Sequence, residues 1–152
     1  MAYTPPVDLY SSCREFAFGI VLIGLVLGIN GFTYVSVIHF FTSRMKTGFK
    51  SSKIKAQLFF VVCTQMLALI QFASIALWAS FLLVMGIFTD WLSAVRFSAS
   101  CYTTLGDFAV NLPDGWHLMP MFIAFSGLFS FSWAATSTIS MMSSLNDYFE
   151  AN

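Results

Sequence analysis

Three long stretches without a formal charge decide what this chain can fold into. The first runs from Phe16 to about Phe41, the second from about Gln57 to Phe88, and the third from near His117 to near Met142. A helix rises ~1.5 Å per residue, so each run is long enough to cross a hydrocarbon core of ~30 Å. In lipid a backbone must satisfy its own polar groups, and a helix does so within one segment. Only 9% of the residues are charged and the mean hydropathy is +0.79. Soluble domains carry roughly 25% charged residues. The expectation is an all-α membrane protein with three transmembrane helices.

The few charges are unevenly placed. Arg44, Lys46, Lys50, Lys53 and Lys55 crowd the segment TSRMKTGFKSSKIK between the first two runs. A short basic loop belongs on the cytoplasmic side, where it also meets anionic headgroups. The N-terminus is then outside and the C-terminus, with Asp147 and Glu150, cytoplasmic. The N-terminal segment lacks the basic leader and cleavage site of a secretory signal, so the first run is expected to remain as a span. The formal net charge of +0 gives no electrostatic case for nucleic acid. Cys13, Cys63 and Cys101 match no metal or redox spacing, His39 and His117 lie far apart, and no glycine-rich phosphate loop is present. No nucleophile–base or metal constellation points to an enzyme.

Polar residues interrupt the runs. Gly19, Gly24, Gly28 and Gly31 leave a bare side on the first, suited to close helix contact or to a lipid groove. Gln65 and Gln71 are expected to hydrogen-bond to neighbouring helices. The third run holds Ser126, Ser130, Ser132, Thr136, Ser137, Thr138 and Ser140. Either these hydroxyls bond back to the preceding turn, or one face lines a wet cavity. Gly127 either hinges this helix or permits close packing. Trp78 and Trp133 are expected to pack, with partners for their N–H groups.

Between the second and third runs lies TDWLSAVRFSASCYTTLGDFAVNLPDG, residues 89–115. Its first half has helical texture, with Thr89 or Asp90 as cap and Trp91, Leu92, Val95, Ala99 and Tyr102 expected to pack inward. At about 14 residues it cannot cross the bilayer. A short extended piece follows, then a turn around Pro113, Asp114 and Gly115. Trp91 and Trp116 suit the outer interface.

Three motifs carry a resemblance: FSASCYTTLGDF (97–108), LPDGWHL (112–118) and SGLFSFSWAATS (126–137). They resemble a bacterial branch of the two-transmembrane potassium-channel family, which reads approximately FS-x-x-x-YTT-x-GYGD, LP-x-x-W and G-x-x-x-F-x-WSTA. An Ile38–His39 pair before a basic loop is similar to the leading span of that branch. The resemblance implies three spans plus a re-entrant pore helix and filter strip in each subunit of a homotetrameric pore. The divisions are then an outer segment 1–15, a first span 16–42, a basic cytoplasmic loop 43–56 and a second span 57–88. Pore helix, filter and outer loop take 89–116, the pore-lining third span 117–142, and a cytoplasmic tail 143–152. The implied location is a bacterial inner membrane, and the implied partners are other copies of the chain, membrane lipids and permeant cations.

The chemistry implied is replacement of an ion's water by inward-pointing carbonyl and threonine oxygens. Glycine serves where the backbone takes positive φ. Thr103, Thr104, Leu105 and Gly106 fall on the family's T-T-x-G, with a monovalent cation held at Thr104, Leu105 and Gly106. The match then breaks: Asp107, Phe108 and Ala109 replace Tyr-Gly-Asp. This resembles the filter of the bacterial non-selective sodium/potassium channel. Asp107 would supply a ring of outer carboxylates, suited also to Ca²⁺, or else hydrogen-bond behind the strip. Asp8, Asp90 and Asp114 would add negative charge outside, or are ordinary loop residues. Gly127, Ser130, Thr136, Ser137 and Ser140 would line or gate the pore. The expected function is passive conduction with weak selectivity among K⁺, Na⁺ and Ca²⁺. A K⁺-selective channel with an atypical filter is the alternative. A non-conducting subunit, its mouth plugged by Phe108, is the alternative of another class. No arginine-repeat helix is present, so ordinary voltage sensing is not expected.

Overall fold

The structure is a computed structural model that describes residues 9–47, 53–106 and 110–150. Four helices make up the described chain: α1 (Leu9–Thr47), α2 (Lys53–Val84), α3 (Trp91–Tyr102) and α4 (Met119–Glu150). Three of them are long and apolar enough to span a membrane: Cys13–Lys46, Lys53–Val84 and Met119–Glu150. The protein is therefore an all-α membrane protein with transmembrane helices and one short helix between the second and third. α1 begins before the apolar run and continues past it. Its 39 residues extend ~58 Å, more than the ~40–45 Å of a bilayer with headgroups.

Local chemistry explains where the helices stop. At the end of α2 the N–H of Gly86 bonds to the carbonyl of Leu83 (2.9 Å) and that of Ile87 to Leu82 (3.0 Å). This is a Schellman motif, and it needs the left-handed residue that Gly86 supplies at φ +70. The carboxylate of Asp90 then accepts the Ser93 N–H at 2.8 Å and caps α3, as the sequence suggested. Before α4, Gly115 (φ +84) follows Asp114 in a turn closed by the Trp116 N–H on the Pro113 carbonyl (3.2 Å).

Contacts fix the helix directions. Gly19 lies against Phe122, Asn30 against Ser130 and Gly31 against Trp133, so α1 and α4 run parallel. Gln71 meets Tyr34, Ser74 meets Asn30 and Trp78 meets Ser126, so α2 runs opposite to both. Two apolar clusters result. One gathers Leu22, Val26, Trp78, Leu82, Phe97, Tyr102, Met119 and Phe122 at the end where α1 and α4 begin. The other gathers Tyr34, Phe41, Met45, Cys63, Leu67, Met141 and Leu145 at the far end. A layer of buried polar residues separates them: Asn30, Gln71, Ser74, Ser126 and Ser130.

The inward face of α3 differs from the expected one. Ala94, Phe97, Ser98, Cys101 and Tyr102 are buried, whereas Trp91 and Leu92 are exposed. Gln65 is exposed as well, and of the two glutamines only Gln71 is buried. Membrane proteins turn small and polar residues toward helix contacts and large apolar ones toward lipid, the reverse of the soluble rule.

Candidate functional site

The site is built on the C-terminal end of α3. Tyr102 is fully buried there, and the next residues are exposed from Thr103 to Gly106. The strip is tied back to the helix that leads into it. Thr103 N–H donates to the Ala99 carbonyl (3.0 Å), Thr104 N–H to Cys101 (2.9 Å) and Gly106 N–H to Ser100 (3.0 Å). The Thr103 hydroxyl also donates to Ala99 O at 2.8 Å. Among the described residues, no hydrogen bond reaches the carbonyl oxygens of Thr103 to Gly106.

Two residues of the strip take left-handed backbone. Gly106 has φ +74, where glycine is at ease. Thr104 has φ +62, a conformation that a β-branched residue adopts only when its surroundings force it. Strain of this kind collects at functional segments. Leu105 between them is 77% exposed.

The depth of the strip follows from its neighbours. Tyr102 Oη donates to Gln71 Oε1 at 2.7 Å, near the middle of α2. The Tyr102 carbonyl lies against Gly127, where an added Cβ would come within 2.0 Å of it. The Tyr102 ring packs on Phe131 of α4. The strip thus starts beside Gly127, in the first half of α4, while the Tyr102 phenol reaches the middle of α2.

A network of buried side chains surrounds Tyr102. Gln71 Nε2 donates to Tyr34 Oη (2.7 Å) and to the Ser130 carbonyl (3.2 Å). Asn30 Nδ2 donates to Ser130 Oγ (2.8 Å), and Ser74 Oγ donates to Asn30 Oδ1 (2.9 Å). Trp78 Nε1 donates to Ser126 Oγ at 2.8 Å. Sequence reasoning anticipated the bonding of Gln71 and Trp78 but missed Asn30 and Tyr34. The available signal was Asn30 itself, the one carboxamide in the first apolar run.

The other expected site residues divide. Gly127, Ser130 and Ser137 are buried inside the subunit. Their burial follows from the small size that lets α4 approach its neighbours. Thr136 and Ser140 are exposed, and the Thr136 hydroxyl bonds back to Ser132 O at 3.0 Å. Asp107 and Phe108 lie outside the described residues. At the end where α1 and α4 begin, Glu15 is only 5% exposed, and its carboxylate accepts the Leu118 N–H at the start of α4. Asp90 is held below the usual carboxylate range by the Ser93 N–H it accepts. Exposed Asp114 and His117 lie 3.6 Å apart.

No known protein family, curated protein or solved structure matches this chain.

Proposed function

We propose that the chain is one subunit of a homotetrameric cation channel in a bacterial inner membrane. It passes K⁺ and Na⁺ with weak discrimination and admits Ca²⁺. The observation that carries this reading is the strip itself. Thr103 to Gly106 is exposed on a single subunit, and it begins beside Gly127, within the length of an apolar helix long enough to span a membrane. Irregular backbone is tolerated at that depth only where protein buries it or water reaches it. A ring of copies around a wet axis meets both conditions.

The backbone suits the chemistry. The N–H groups of Thr103, Thr104 and Gly106 are occupied by α3, while no hydrogen bond among the described residues uses the carbonyl oxygens of Thr103 to Gly106. Carbonyl and threonine oxygens from several copies replace the hydration shell of a monovalent cation at Thr104, Leu105 and Gly106.

α3 acts as the re-entrant pore helix and residues 103–108 as the filter. The number four rests on the resemblance of residues 97–108, 112–118 and 126–137 to the potassium-channel family. Asp107 adds a carboxylate ring where that family has tyrosine. Of the residues expected to line the inner pore, Thr136 and Ser140 present exposed hydroxyls. The basic segment from Arg44 to Lys55 faces the cytoplasm, which sets both termini.

Ion flux into liposomes tests the reading. The purified tetramer is expected to carry K⁺ and Na⁺ but not Cl⁻, and Asp107→Asn is expected to change the ratio among K⁺, Na⁺ and Ca²⁺. Strong K⁺ preference would replace weak selectivity with the K⁺-selective reading. No flux from verified tetramers would make the chain a non-conducting subunit.

A further inference from the structure

Gln71 uses three polar atoms on three different helices. Its Oε1 accepts from Tyr102 Oη of α3. Its Nε2 carries two hydrogens, one for Tyr34 Oη of α1 and one for the Ser130 carbonyl of α4. Its hydrogen-bonding donors are thus fully committed, and it is 8% exposed. Tyr102 is held at both ends: the phenol by Gln71, the main-chain carbonyl by its contact with Gly127. One peptide bond separates that carbonyl from Thr103, the first residue of the strip. A displacement of Tyr102 must therefore move the strip's oxygens.

We propose that Gln71 and Tyr102 are positioning residues for ion discrimination. Their hydrogen bond fixes where the filter strip begins relative to the three long helices, and so fixes how closely carbonyls from different copies approach an ion. The part concerning ions rests on the channel reading; the part concerning the strip does not. A cross-helix hydrogen bond in a membrane is worth about a threefold change in an equilibrium, so its loss shifts the strip without unfolding the bundle.

Tyr102→Phe removes one oxygen and leaves the ring packed on Phe131. Gln71→Leu removes the other partner. Two measurements on each full-length variant decide the matter. Amide exchange at Thr104 and Gly106 is expected to rise about threefold in Tyr102→Phe, and no further when Tyr102→Phe is added to Gln71→Leu, because the Tyr102–Gln71 bond is already gone in that variant. The K⁺/Na⁺ permeability ratio, from reversal potentials of reconstituted protein, is expected to shift in the same pattern. Trp78→Phe, which cuts the separate bond to Ser126, should change neither. Unchanged exchange in both variants overturns the positioning role. Faster exchange with an unchanged ratio in a conducting protein overturns the link to discrimination. A wild-type protein that passes no ion overturns the channel reading, and with it that link, while exchange still decides the positioning role.

Discussion

The carbonyl oxygen of Tyr102 occupies the space that a side chain on Gly127 would need. An added Cβ would sit 2.0 Å from that oxygen and 2.9 Å from its carbon. The neighbour is backbone, with no flexible end to swing away. Gly127→Ala is expected to push α3 off α4 and to destabilise the protein by about 1–3 kcal/mol. Gly24 has nothing within 4 Å of its Cβ position, so Gly24→Ala should be close to neutral. Thermal unfolding of both variants in detergent reads the contrast. Equal midpoints would show that close approach to Tyr102 does not matter.

Thr104 and Gly106 share the left-handed region but not its cost. Gly106→Ala would place a Cβ at φ +74 and is expected to lose about 1 kcal/mol. Thr104→Gly relieves the same strain at φ +62 and should not lower the unfolding midpoint. It should alter ion flux, because a threonine oxygen is lost from the strip. A large loss of stability in Thr104→Gly would contradict the backbone reading of this segment.

Asp90 gives a pH signature. Its carboxylate pKa is depressed by the Ser93 N–H that it accepts. A group whose folded pKa is lowered stabilises the fold above its unfolded value, about 3.9 for Asp, and loses that contribution as pH falls through the folded value. Asp90→Asn keeps a good cap without the titration. Unfolding midpoints should therefore fall more steeply below about pH 4 in the wild type than in Asp90→Asn. Parallel acid limbs would show that the cap contributes no pH dependence.

Glu15 ties the first long helix to the start of the third through the Leu118 N–H. Glu15→Ala leaves that half-buried donor without its partner, at a cost of about 1–2 kcal/mol. Glu15→Gln keeps an acceptor and should recover part of the loss. Identical midpoints for wild type and Glu15→Ala would show that water replaces the carboxylate freely.

Some of this architecture was readable in the residues and some was not, for physical reasons. Charge-free runs of the right length mark Cys13–Lys46, Lys53–Val84 and Met119–Glu150, because lipid admits little else. Asp90 before a short helical pattern marks a cap, and Pro113–Asp114–Gly115 marks a turn, because both depend on local backbone chemistry. Which way a side chain faces was harder. Trp91 and Leu92 were expected inside and are exposed, while Ser98 and Ala94 are buried. In a membrane the large apolar residue has two good environments, so hydrophobicity no longer marks the interior. The same ambiguity hid Asn30 and Tyr34. The helix ends were also longer than the apolar runs, since Arg14, Glu15, Arg44 and Lys46 are compatible with helix in the interfacial zone.

Convergence of the strips is what everything else requires, and a spin label on Leu105 measures it. Cys13 is exposed and must first become serine; Cys63 and Cys101 are buried. With Leu105→Cys labelled in the assembled protein, dipolar spectroscopy should return two inter-subunit distances in the ratio of the side of a square to its diagonal. Water-soluble relaxation agents should reach the label more readily than lipid-soluble oxygen. A single isolated spin, or a label immersed among acyl chains, would contradict a shared axial pore.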